Sequence, residues 1–191
     1  GFFYKPRVDW NILKEYSEGI ICLTACIQGE IPQAILSGDM DKARRITRQY
    51  AELYKDNFYL ELQHNGLEKQ PIVNNGLLEL AESEHLPVVA TNDCHYLNAD
   101  DYEAHEILLC IGTGSTINDK KRFRFETHEL YYKSPEEMER DFASVPQAIE
   151  NTAKIAEMCN CELTFGKHFF PKYPLPEGAS LESEFRKLAE E

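Results

Sequence analysis

The chain has 191 residues, 42% hydrophobic and 28% charged, the balance of a folded domain with one substantial core rather than a disordered segment. Its formal net charge of −13 argues against a general nucleic-acid-binding surface, because phosphate neutralisation needs clustered Lys and Arg. No apolar run approaches the roughly 18 residues needed to span a membrane. The six cysteines contain no C-x-x-C pair and mostly sit in apolar runs, so they form no disulfide framework and point to a reducing cytoplasm.

Gly1-Phe2-Phe3-Tyr4 offers neither an initiator Met nor a signal-peptide pattern. At the other end, Leu181 to Glu191 reads as an amphipathic helix that simply stops. Both ends predict a piece of a longer polypeptide.

Three strand-like runs alternate with helical ones. The first strand is expected at Gly19–Thr24, rich in β-branched residues. Asp39 is placed to cap a helix running to about Lys55, with Ala43, Ile46, Tyr50 and Leu53 on its apolar face. The second strand is Phe58–Leu62, followed by a helix from Leu67 to His85 with Val73, Leu77 and Leu80 turned inward. A third strand is expected at Leu86–Thr91, and a helix from about Asp100 to Ile111. This order predicts an α/β fold with parallel strands joined by helical crossovers. The strands are apolar runs rather than clean alternations, as when both sheet faces are covered. No G-x-G-x-x-G follows a strand, which weakens a dinucleotide-binding reading.

Beyond Ile111 the rhythm changes. Lys120-Lys121-Arg122-Phe123-Arg124-Phe125 is basic with aromatics interleaved, and is read as a solvated turn after a helix. Ser134-Pro135-Glu136-Glu137 supplies an N-cap, a Pro at the first helical position and a capping-box Glu. A further helix is expected from Pro146 to Met158, and Pro171–Ser180, with three prolines, reads as an extended linker.

The polar residues that matter most lie at the ends of the expected strands. Cys26 follows the first, Glu61, Gln63 and His64 end the second, and Asp93 and His95 follow the third. In parallel α/β architectures the C-terminal strand ends form one rim, where sites are built. Thiolate, carboxylate and imidazole groups meeting there would suit zinc or a similar divalent ion. Taken singly, each has a plainer reading. Cys26 can be a small buried hydrophobe, Asp93 an Asx-turn residue with His95 its hydrogen-bonding partner, and His64 a turn residue before Asn65-Gly66. His105 reads as a packed or surface helix residue, and His85, His128 and His168 have no partner at ligand spacing. Asp39-Met40-Asp41 has the D-x-D form but opens a helix, where capping explains it. Ser17 and Ser115 lack a G-x-S-x-G context, against a serine hydrolase.

Several stretches are similar to the bacterial DNA polymerase III alpha-subunit family. They are Gly1-Phe2-Phe3-Tyr4-Lys5-Pro6-Arg7, Leu23-Thr24-Ala25-Cys26 with Gly29-Glu30, Phe58–Gln63 and Val89–Tyr96. Others are Ala104–Ile111, Ile149-Glu150-Asn151-Thr152 and Phe170-Pro171-Lys172-Tyr173-Pro174. The resemblance implies the C-terminal part of a polymerase-and-histidinol-phosphatase (PHP) domain, a distorted (β/α)7 barrel, over 1–145. Residues 146–191 would then be a helical extension and proline-rich linker toward a polymerase core.

It implies a rim that holds divalent ions (zinc, manganese or magnesium) with Cys26, Asp93 and His95 as ligands. Glu61 and His64 are rim candidates without a ligand role carried over. Cys94 stands where the family often has Val. No catalytic residue beyond the metal ligands is implied. The family's early His-x-His is expected upstream of Gly1, and its palm aspartates downstream of Glu191.

The implied parent is a replicative DNA-directed DNA polymerase of the cytoplasm, with DNA and other replisome subunits as partners and no membrane. For the PHP part the implied chemistry is metal-assisted phosphodiester hydrolysis, a 3′–5′ proofreading exonuclease. The alternatives are a free-standing phosphoesterase of the histidinol-phosphatase kind and a degenerate PHP domain with a structural role.

Overall fold

Three parallel strands, β3 (Cys22–Leu23), β4 (Phe58–Gln63) and β5 (Val88–Thr91), lie side by side in that order with β4 at the centre. The computed structural model describes residues 2–168, 170 and 173–190. Cys22 pairs with Phe58, and Leu60 through Gln63 pair with Val88 through Thr91. Every residue of β4 is buried, which is why its sequence, FYLELQ, lacks a clean polar alternation. Ahead of the sheet, β1 (Phe2–Phe3) and β2 (Lys5–Pro6) form a small antiparallel hairpin, and α1 (Trp10–Glu15) follows, capped by Asp9.

Only Cys22 and Leu23 of the expected first strand pair with a neighbour. Ile20 N–H instead closes a turn onto Ser17 C=O (3.2 Å), with Gly19 in the left-handed region at φ 74°. Between β3 and β4 the chain forms two helices rather than the single one expected, α2 (Glu30–Leu36) and α3 (Met40–Tyr54). Ile31, Ala34 and Ile35 give α2 its buried face at i, i+3, i+4 spacing. Asp39 caps α3 as its spacing predicts, Oδ1 accepting from Lys42 N–H at 2.9 Å. Helix α4 (Gln70–Glu84) carries Val73, Leu77 and Leu80 into the core, and its Gly76 lets Ile35 of α2 approach within what would be 2.6 Å of a Cβ.

A 3-10 turn (Ala99–Asp101) leads into α5 (Tyr102–Thr113), two residues later than expected at each end. Helix α6 (Pro135–Asp141) has both hydrogen bonds of the capping box. Ser134 Oγ accepts from Glu137 N–H, and Glu137 Oε2 accepts from Ser134 N–H at 2.8 Å. Helix α7 (Pro146–Met158) has its expected bounds.

The parallel sheet flanked by helices is the expected α/β class. The compact unit runs to Cys159, so α7 lies inside it. Ala148 is fully buried, and Asn151 Nδ2 donates to the C=O of Val88 on β5 at 2.7 Å. By itself, the segment from Asn160 on holds α8 (Leu181–Glu190), whose first turn is capped by Ser180. Of the expected linker, Pro171 and Lys172 lie outside the described residues.

The Asn151 bond satisfies a carbonyl on the strand at the end of the sheet. Asn151→Ala should therefore lower unfolding stability by about 1–2 kcal/mol, the typical cost of stranding a buried acceptor. Urea denaturation measures this, and an unchanged midpoint would mean that α7 is held by its apolar face alone.

Candidate functional site

Because β3, β4 and β5 are parallel, all the polar positions that follow them gather at one end of the sheet. At the centre of that end is Glu61, 9% exposed. Its Oε2 accepts from Ala25 N–H beyond β3 at 3.0 Å. Its Oε1 accepts from Thr91 Oγ1 on β5 and from Gln63 Nε2 at 3.2 Å. The backbone N–H of Glu61 donates to Thr24 Oγ1 at 2.7 Å. One side chain thus ties together the ends of all three strands. The rim candidate Glu61 is a clamp whose carboxyl oxygens are occupied by protein donors.

The clamp continues as a buried amide network. Asn65, fully buried, donates to Gln63 Oε1 (3.1 Å) and Gln70 Oε1 (3.4 Å), while Gln70 donates to Asn74 Oδ1 (3.0 Å) and Asn74 to Gln63 C=O (2.8 Å). Such a network fixes the loop after β4 more firmly than isolated contacts would.

Cys26 sits half-buried in the turn after β3. The preceding Ala25 is in the left-handed region at φ 62°, a conformation costly for a non-Gly residue and held here by the bond to Glu61. The turn closes when Gly29 N–H donates to Cys26 C=O at 2.9 Å. A Cβ on Gly29 would stand 2.5 Å from Thr24 C=O, so only glycine fits.

Beyond β5, Asp93 is also left-handed, at φ 52°. Asn92, 5% exposed, pins this segment by donating to the C=O groups of Glu129 and Tyr131 at 2.8 and 2.9 Å. His95 N–H donates to Leu130 C=O at 2.8 Å. In this arrangement His95 Nε2 faces Asp93 Oδ1 at 3.6 Å, with each side chain about one-third exposed.

His95 is packed from the other side. Its ring centroid lies 4.6 Å from that of Phe125 and 5.6 Å from that of His105 on α5. Burial, and then the neighbouring His95, hold the His105 imidazole below its usual pKa. The sequence reading of His105 as a packed helix residue does not reveal this neighbour, since the contact depends on how α5 folds back over the loop. His128 stacks on Tyr102 at 3.9 Å.

His64 takes a separate position. Its Nδ1 lies 3.2 Å from Asp141 Oδ2 on α6, which also accepts from the buried Lys133 Nζ at 2.7 Å. Lys133 further donates to His64 C=O at 2.8 Å. Burial pushes the Asp141 carboxyl up, but the Lys133 hydrogen bond and charge, with His64, outweigh it and hold the group below the usual carboxylate range. Cys94 donates weakly to Tyr131 C=O at 3.4 Å, and burial followed by the charge of Asp93 raises its thiol pKa.

Among the described residues, no three His, Cys, Asp or Glu side chains come close enough together to hold a metal ion. Asp93 and His95 are a partial donor set, short of the three protein ligands of an open zinc site. Those two are brought together, Glu61 is committed to the strands, and His64 to α6.

The PHP domain family matches residues 1–65, covering the hairpin, β3 and β4. Over nearly the whole chain, the DNA polymerase III alpha subunit of Borreliella burgdorferi is 42% identical across 177 residues, 92% of this chain and 15% of that protein. The Thermus aquaticus alpha subunit is 40% identical over 98% of this chain and 16% of its own length, and that of Deinococcus radiodurans 41% over 97% and 14%. The chain is thus similar to these alpha subunits over nearly its whole length, and spans 14–16% of theirs.

Glu61→Ala would leave the Ala25 N–H, the Thr91 hydroxyl and the Gln63 amide without their acceptor. Stability should fall by about 2–3 kcal/mol, since stranding the buried Gln63 amide costs roughly 1–3 kcal/mol and the part-buried Ala25 N–H and Thr91 hydroxyl cost less each. A urea midpoint equal to that of the unsubstituted chain would refute the clamp.

Proposed function

We propose that this chain is part of a replicative DNA-directed DNA polymerase, a DNA polymerase III alpha subunit. In this reading residues 1–145 are the C-terminal portion of a distorted (β/α)7 PHP barrel. Residues 146–191 lead as a helical segment and proline-rich linker toward the polymerase core, although α7 packs with the sheet. The observation that carries the reading is 36–42% identity to alpha subunits, over 85–98% of this chain. The partners are DNA and the other replisome subunits, and the compartment is the cytoplasm. No described helix is long and apolar enough to cross a membrane.

Within this reading Cys26, Asp93 and His95 are donors to a divalent-metal centre of zinc, manganese or magnesium that is completed by residues outside the chain. Bound there, such ions supply Lewis-acid activation for phosphodiester hydrolysis, as in a 3′–5′ exonuclease. The chain's own contribution is positional. The left-handed turns at Ala25 and Asp93, the Glu61 clamp and the Asn92 pins hold the donor-bearing loops at one end of the sheet. The polymerase active site is assigned to other parts of the parent.

Metal analysis of this chain beside a longer polypeptide carrying the preceding segment tests the assignment. The short chain should bind divalent ions weakly and the longer one hold more. In the longer protein, Asp93→Asn with His95→Asn should reduce metal affinity at least tenfold, as loss of groups that hold or orient metal ligands does. A full stoichiometric centre in the short chain, or one indifferent to the double substitution, would sink the ligand assignment. Neither form should extend a primed template, which a radiolabelled primer assay reads directly.

A further inference from the structure

The loop between α5 and Leu130 is more ordered than a solvated turn requires. Gly114, left-handed at φ 66°, ends α5, and Ser115 N–H folds back onto Cys110 C=O at 2.9 Å. Asp119 Oδ2 accepts from Thr116 N–H at 2.7 Å, a bond that holds this carboxyl below its usual pKa. Arg122 then turns inward. Its side chain is 9% exposed, Nη2 bonds Glu106 of α5 at 2.7 Å, and Nε donates to Ile117 C=O at 3.4 Å.

With Arg122 and Phe125 turned in, the residues between and before them are turned out. Lys120, Lys121 and Arg124 are exposed and form no ion pair among the described residues. Between these cations Phe123 is 54% exposed. Its ring meets Phe125 edge-on at 5.4 Å, and Phe125 in turn packs on His95 at 4.6 Å. A row of three rings thus leads from the basic tip to the Asp93–His95 pair. Asp119 and Glu126 flank the tip, and the backbone bond to Asp119 keeps that carboxylate charged, so the two offset part of the positive charge there.

We infer that this loop is a contact for single-stranded DNA, with Lys120, Lys121 and Arg124 on phosphates and Phe123 stacking a base, aligning the strand toward the Asp93–His95 end of the sheet. Three unpaired cations around an exposed ring are what single-strand binders present: charge that tracks the backbone and a π-face that accepts any base. Buried Arg122 sets the geometry before the strand arrives, so little ordering remains to be done on binding. The inference concerns the substrate of the proposed phosphodiesterase site and rests on that reading. The patch is local, three exposed cations on a chain of net charge −13, so binding is expected to be modest and salt-sensitive.

The test is fluorescence anisotropy of a labelled oligothymidylate with this chain in EDTA, so that no metal chemistry enters. Lys120→Ala/Lys121→Ala/Arg124→Ala should weaken binding roughly tenfold or more and reduce the slope of log affinity against log salt by about 2, at about 0.7 per phosphate contact. Phe123→Ala should weaken binding roughly fivefold or more with the slope unchanged, since stacking contributes about 1–3 kcal/mol per base. Lys69→Ala, a cation elsewhere on the surface, should do neither.

No measurable binding by the unsubstituted chain would overturn the inference, as would equal affinity of the patch variants. Competition by polyglutamate as effective as that by oligothymidylate would also overturn it, because it would leave only charge. The metal-site reading is separated by assaying metal-dependent cleavage in the longer polypeptide. If Asp93→Asn abolishes cleavage while the patch variants bind normally, the loop inference falls alone. If the patch variants lose binding while Asp93→Asn cleaves normally, the metal-site reading falls alone.

Discussion

The end of the sheet depends on one side chain. Glu61 is the residue of the central strand from which Ala25, Gln63 and Thr91 all take their acceptor, and its own N–H is taken by Thr24. A buried carboxyl is costly unless its lone pairs are filled, and here three donors from three strand ends fill them. The consequence is geometric. Cys26 and Asp93 lie in turns whose starts are fixed to the same group, so the two loops cannot shift independently. A hydrophobic residue at 61 would leave those loop starts untied.

The same reasoning explains why the loop after β5 is built as it is. Asp93 and Ala25 both hold positive φ, a conformation that persists only when surrounding bonds over-determine it. At Ala25 the restraint is Glu61, while on either side of Asp93 it is Asn92 and His95, bonded to the backbone of residues 129–131. The run Glu129–Tyr131 is therefore the scaffold of the Asp93–His95 pair, which accounts for the complete burial of Leu130 in a segment outside the regular strands.

Local signals carried most of the fold. The Asp39 cap, the Ser134 capping box and the Pro146 helix start are short-range chemistry and lie where the residues place them. Helix α2 was hidden because seven residues give less than two full turns of periodicity, and Pro32 within them resembles a break rather than a first turn. The first strand is shorter than its residues suggest because Ile20 and Ile21 have strand propensity but no partner there, and pairing decides what propensity only permits. At the site, placement after three strands was legible. That Glu61 would be consumed by Ala25 and Thr91, and that His105 would stand against His95, was not. Those contacts join residues 10 to 36 positions apart and follow from packing.

Charge distribution follows from the same division of labour. Part of the acidic surplus is paired between helices, where Glu84 takes Arg48 at 2.7 Å and Glu79 takes Arg44 at 3.4 Å. Exposed pairs of this kind contribute little to stability. Exposed Lys and Arg without such a pair occur elsewhere on the surface too, so the trio at 120, 121 and 124 is distinguished by its clustering around an exposed ring and not by being unpaired. In the inferred role, a strand approaching this acidic chain meets clustered positive charge next to the row of rings that ends at His95. A local positive cluster on an otherwise acidic chain favours orientation over affinity, which is what a site acting on one end of a strand requires.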